Sequence, residues 1–171
     1  EGGKFLNKNK LYHSKFGDNS IFKKHANDYN TLALMGVLEH IDPKNLLKDF
    51  KSSKLKYLYI AVPALSLSVF LENVFPKVFP RVLSNGHTHL YTEKSLNYFA
   101  KKNNLKIIGE WWFGTDIPDL FRSLLVSANT VDKKVYTDEI NKIFKNTIDQ
   151  LQVVLDKNKT CSEIHMIFKK K

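Results

Sequence analysis

The stretch Asp28-Tyr-Asn-Thr-Leu-Ala-Leu-Met-Gly-Val-Leu-Glu-His-Ile-Asp-Pro43 decides how the rest of the chain is read. Thr31 to Met35 is a short apolar run, bounded by Asn27, Asp28 and Asn30 on one side and Gly36 on the other. That pattern predicts a strand buried on both faces. Beyond the glycine, Asp42 is placed to cap a helix and Pro43 suits its first position, where no backbone N–H is needed. Leu46, Leu47 and Phe50 then recur at helical spacing. Strand, turn and helix make half of an α/β unit, with a crevice at the carboxyl end of the strand.

Working outward, the pattern repeats. Leu55 to Pro63 is rich in aromatic and β-branched residues and ends at a proline, which cannot donate to a ladder. Ala64 to Val78 carries apolar residues at roughly helical spacing until Pro76 and Pro80 break it, reading as a cover over a pocket or as ordinary packing. Arg81 to Gly86 is a loop. Thr92 caps a predicted helix with Leu96, Phe99 and Ala100 on its apolar side, and Leu105 to Phe113 is a strand. Asp116, Asp119 and Arg122 open another helix, with Leu120, Phe121, Leu124 and Leu125 as its buried side. Thr137 to Leu155 reads as one long helix, and Ser162 to Phe168 as a final strand. On the amino-terminal side, Leu11 to Phe16 is a candidate strand and Ile21 to Ala26 a helical turn or loop; residues 1–27 carry no firm assignment. The alternation of helix and strand over 171 residues predicts a single α/β domain.

Composition narrows the class. Apolar residues make up 43% and aromatics 12%, enough for a packed core and against disorder. No apolar run approaches the ~18 residues of a membrane span, and the first residues are polar and Lys-rich. With Cys161 as the only cysteine, no intrachain disulfide is possible. A cytoplasmic location is the expectation. The net charge of +10 is almost all lysine, since Arg81 and Arg122 are the only arginines. Nucleic-acid surfaces favour clustered arginine, whereas these lysines are scattered. A solvated surface is therefore expected, and no nucleic-acid or membrane partner.

Asp28 to Pro43 resembles the fourth-strand motif of class I S-adenosylmethionine-dependent methyltransferases, through Leu38-Glu39-His40-Ile41-Asp42-Pro43. The Val62-Pro63 end of the next strand is similar to the family's fifth strand, and "HTHLYTEKSLNYFAKKNNLKIIGEWWFG" from His87 to Gly114 resembles its following helix and sixth strand. The order of these motifs carries the likeness. It implies a Rossmann-like methyltransferase sheet flanked by helices, S-adenosylmethionine as cofactor, and methyl transfer to a small molecule or saccharide. It also implies that the backbone of Met35, Gly36 and Val37 lines the cofactor's methionine portion, with Glu39 close by.

The chain departs from the family at one point. A Gly-rich turn after the first strand holds the cofactor there, and no such turn occurs here; Gly2-Gly3, Gly17 and Gly109 do not sit at a strand-to-helix turn of that type. The expectation is a C-terminal portion of a longer methyltransferase, lacking the first strands of its sheet. The alternative is a non-catalytic, methyltransferase-like interaction module that has lost its cofactor site. Either way the Thr31–Met35 strand would lie at an exposed sheet edge, available to another copy of the chain.

Methyl transfer needs alignment and a base for the acceptor's proton, and histidine is the base suited to neutral pH. His40, His87 and His89 are the candidates; each also reads as a structural loop or helix-entry histidine. His87 and His89 flank Thr88 and point the same way in an extended chain, but two ligands are too few for a metal centre and none is expected. Tyr91, Trp112 and Arg122 are candidate substrate contacts. Trp111 and Trp112 must point to opposite faces of their strand, so at least one belongs to the core, and Arg122 reads equally as a helix-start salt bridge with Asp116 or Asp119. Cys161 reads as a packed residue.

Overall fold

The computed structural model describes residues 24–83, 86–129 and 134–171. The Leu11–Phe16 expectation, and that for Ile21–Ala26 before Lys24, lie outside them. Four strands, β1 (Thr31–Met35), β2 (Tyr57–Pro63), β3 (Leu105–Phe113) and β4 (Glu163–Lys170), form one mixed sheet in the order β1-β2-β4-β3. β1 and β2 run parallel, with Thr31 opposite Tyr57 and Met35 opposite Ala61. The last strand enters antiparallel between β2 and β3. Six helices accompany the sheet among the described residues: α1 (Lys44–Ser52), α2 (Leu67–Val74), α3 (Glu93–Lys102), α4 (Asp116–Asn129), α5 (Lys134–Phe144) and α6 (Ile148–Lys157). The α/β reading holds.

The core lies on one face of the sheet. Leu34, Leu58, Ile60, Ile164, Met166 and Phe168 are buried there against Leu46, Leu47 and Phe50 of α1 and Leu96 and Ala100 of α3. Fully burying a side chain such as Phe50 or Phe168 is worth ~1.5–3 kcal/mol. The alternate positions face the other way and stay partly open: Met35 and Trp111 are each 62% exposed. Trp112 is buried and Trp111 is not: they face opposite sides, and a bulge between Ile107 and Gly109 sets which of the two turns to the core.

Several expectations are corrected. β1 is not buried on both faces: among the described residues it is an edge strand, in which Leu34 is buried while Thr31, Ala33 and Met35 are exposed. Pro43, not Asp42, occupies the N-cap of α1, and the Asp42 carboxylate accepts the Lys44 N–H at 3.1 Å from one position further out. In α4 the most buried side chains are Asp116, Asp119 and Ser123, with the predicted leucines only half-buried. The long C-terminal helix is two helices, broken at Lys145–Thr147, where the Thr147 N–H and hydroxyl both donate to the Phe144 carbonyl. A threonine that bonds its own backbone competes with helical continuation.

Candidate functional site

The parallel pair β1 and β2 ends at one crevice. Gly36 follows β1 with φ +63°, a left-handed conformation that glycine adopts without steric cost; its N–H donates to the Ala61 carbonyl at 3.1 Å, holding the turn against β2. A cavity of 430 Å³ opens there, within the range of small-molecule sites. Gly36, Glu39 and Pro63 line it on the strand side, and Arg81, Thr115 and Asp119 on the other.

Arg81 is brought in by its loop. The Glu72 carboxylate of α2 accepts backbone N–H groups from Arg81, Val82 and Leu83 at 2.5–2.7 Å, pinning the loop to the helix. The Arg81 guanidinium then pairs with Asp119 at 2.8 Å and donates to Thr115 at 3.0 Å. Asp119 is buried and also accepts from Ser68 and Thr115. Arg122, read as a substrate contact or as a helix-start salt bridge, forms that salt bridge with Asp119 at 3.6 Å, donates to the Phe79 carbonyl and lines a separate, small recess. Arg81 was missed because nothing in sequence ties a loop arginine to a carboxylate 38 residues away.

Gly36 and Glu39, of the four predicted cofactor contacts, line the cavity. Met35 is exposed, and Val37 packs against the core. Tyr91 and Trp112 share a second cavity of 430 Å³ with Phe70 and Lys159. The Tyr91 hydroxyl donates to the Leu38 carbonyl at 3.1 Å; burial, with the Glu39 carboxylate adding to it, pushes this phenol up to about 12. Tyr91 is thus a neutral donor that fastens the segment before α3 to the turn after β1.

The three histidines divide. His40 and His87 meet, ring centroids 4.8 Å apart, while the His89 Nδ1–H donates to the Thr88 hydroxyl at 2.8 Å and the ring stacks on Tyr91. Thr88 donates through both its N–H and its hydroxyl to the Glu39 carbonyl, at 2.9 and 2.8 Å. The loop carrying His87 is therefore fixed onto the turn carrying Glu39 and His40.

No family model and no curated protein sequence matches the chain. Solved methyltransferase structures are similar to it at low identity. The small RNA methyltransferase HEN1 is 12% identical, TM-score 0.44, over 83% of this chain and 14% of that one. A Galdieria sulphuraria chain assigned as a sarcosine dimethylglycine methyltransferase is 10% identical, TM-score 0.46, over 98% and 64%. The methyltransferase domain of bacterial CtHen1-CN is 13% identical, TM-score 0.46, over 91% and 61%. The chain thus spans less than two thirds of the length of each.

Proposed function

We propose that this chain forms part of an S-adenosylmethionine-dependent methyltransferase, acting within a longer polypeptide on an oxygen, nitrogen or carbon of a small molecule or saccharide. The observation that carries the reading is the crevice at the carboxyl ends of β1 and β2, where a left-handed Gly36 leaves backbone accessible and Glu39 lines the wall. The motif order from Asp28 to Gly114 supports it. In the reaction the sulfur–methyl bond breaks as the acceptor–methyl bond forms, and S-adenosylhomocysteine departs. When the acceptor is a hydroxyl or amine, its proton would pass to a neutral imidazole, with His40, His87 and His89 as the candidates. Tyr91 and Trp112 would form an aromatic wall for the acceptor from the second cavity.

The test is calorimetric titration of S-adenosylhomocysteine into this chain and into a version extended at its N-terminus by the native gene. Binding by the longer form, alone or together with the shorter, supports the assignment. Binding by neither overturns it. That result would favour an interaction module pairing the open edge of β1 with a second copy, a reading motivated by the edge position of that strand.

A further inference from the structure

Glu39, His40 and His87 each present one ligand atom within 4.8 Å of the others. Three further observations separate this cluster from a chance meeting of polar groups. Glu39 is 3% exposed, yet its Oε2 has no hydrogen-bond partner. A buried carboxylate oxygen left without a donor is costly, and such atoms are few in native proteins. The Nδ1 of His87 is buried and unpartnered as well. The His40 Nδ1–H donates to the Gly86 carbonyl at 3.2 Å, which fixes the tautomer and leaves Nε2 with its lone pair free. Metal-binding imidazoles are commonly oriented in this way, by a bond from the other ring nitrogen to a backbone carbonyl.

We propose that Glu39, His40 and His87 bind a divalent transition-metal ion of the imidazole-preferring class, with Zn²⁺ the first candidate. Two imidazoles and one carboxylate are a ligand set of open zinc sites, in which the remaining position is left to water or substrate. The open side here is that of His40, which is exposed, whereas Glu39 closes the site from within. Zinc bonds of about 2.0–2.2 Å at tetrahedral angles put donors about 3.4 Å apart. The three donor atoms, within 4.8 Å of one another, therefore draw together on binding, and the exposed His40 is the ring with room to move. The Glu39 carboxylate supplies negative charge against the dication. Thr88, bonded through its N–H and hydroxyl to the Glu39 carbonyl, holds the two halves of the site in register.

The inference does not rest on methyl transfer: with metal bound, His40 and His87 are ligands and His89 is the imidazole left as a base; the test uses no methyl donor. The full chain, stripped with a chelator, is titrated with Zn²⁺ by calorimetry and with Co²⁺ by visible absorption, alongside Glu39→Gln, His40→Ala, His87→Ala and, as control, His25→Ala. His25 pairs with Asp28 away from the cluster. Expected is one ion per chain with ligand-field bands. Affinity should fall at least ~10–100-fold in each of the three variants, the loss typical even of outer-shell changes, and stay unchanged in His25→Ala. Thermal unfolding without metal verifies that each variant is folded; the exposed His40→Ala provides the variant least disruptive to packing. No stoichiometric binding by the parent chain would overturn the proposal. So would affinity retained in folded His40→Ala.

Discussion

Gly114 shows how tightly single positions are specified around the cavity. A Cβ built there would lie 2.5 Å from Ser162 Oγ, 2.6 Å from Asp116 Oδ2 and 2.6 Å from the Ser162 backbone nitrogen. The last contact is backbone and cannot rotate away. Gly114→Ala should therefore destabilise the fold by ~1–3 kcal/mol, the usual cost of overpacking, read as a lower urea midpoint; an unchanged midpoint would refute the crowding. Cys161 gives a second prediction at this scale. Burial, with Asp156 adding to it, pushes the thiol up from 9.0 to about 11, so the folded state holds its proton where the unfolded state releases it. The sign follows: this contribution to stability is complete below pH 9 and is lost as pH rises from about 9 to 11. Urea unfolding at intervals across that window should show the decline, and Cys161→Ala should flatten it. At neutral pH the native thiol should resist alkylation and react only on unfolding. The packed character of Cys161 was legible in sequence, because no partner residue accompanies it. The meeting of Glu39 with His87 was not, because 48 positions separate them and only long-range bonds, Thr88 to Glu39, His40 to Gly86 and Tyr91 to Leu38, bring the two segments together.

At the scale of elements, local chemistry was legible where it acts within a few residues. Thr92 was read as a cap and is one: its hydroxyl accepts the Ser95 N–H at 3.1 Å, and the Ser95 hydroxyl accepts the Thr92 N–H at 2.9 Å. Thr92→Ala should cost about 1 kcal/mol, and Thr92→Ser much less; equal urea midpoints for the two variants would mean the cap contributes nothing. The bounds of β3 were also legible to the residue, but not the bulge between Ile107 and Gly109, which shifts its alternation by one position so that Leu105, Ile107 and Trp112 share the core face. Periodicity misled where it continued through a local break. Ile140 to Leu155 keeps three-and-four spacing across Lys145–Thr147, but Ile143 and Leu151 are exposed, and the chain turns where Thr147 bonds back to Phe144. The pattern in α4 failed for a different reason. Its carboxylates are held inward by Ser68, Arg81 and Thr115, so the helix buries charge at the cavity rather than a leucine face.

For the whole molecule, the decisive feature is the one least visible in sequence, the place of the last strand. Its apolar alternation marks Glu163–Lys170 as a strand but says nothing of its neighbours. In the fold it is central: Tyr57–Pro63 pairs with it along one side and Leu105–Phe113 along the other, over every residue from Glu163 to Lys169 on the β2 side. Ile164, Met166 and Phe168 at the same time supply the middle of the core. β2 and β3 have no ladder to each other in this sheet. The two halves are therefore joined chiefly through β4, by pairings that close long stretches of intervening chain, an arrangement that delays cooperative structure until β4 is in place. Deleting residues 163–171 should leave β2 and β3 each with an unpaired edge and open the buried face over α1 and α3. Losing Phe168 alone would cost ~3–5 kcal/mol, a large fraction of the 5–15 kcal/mol that holds a typical domain. The shortened chain should show no cooperative unfolding transition by circular dichroism, while Lys171 alone can be removed without effect. A sharp transition in the chain ending at Ser162 would mean that β1 and β2 with α1 form a core of their own, and that the last strand only closes a sheet already folded.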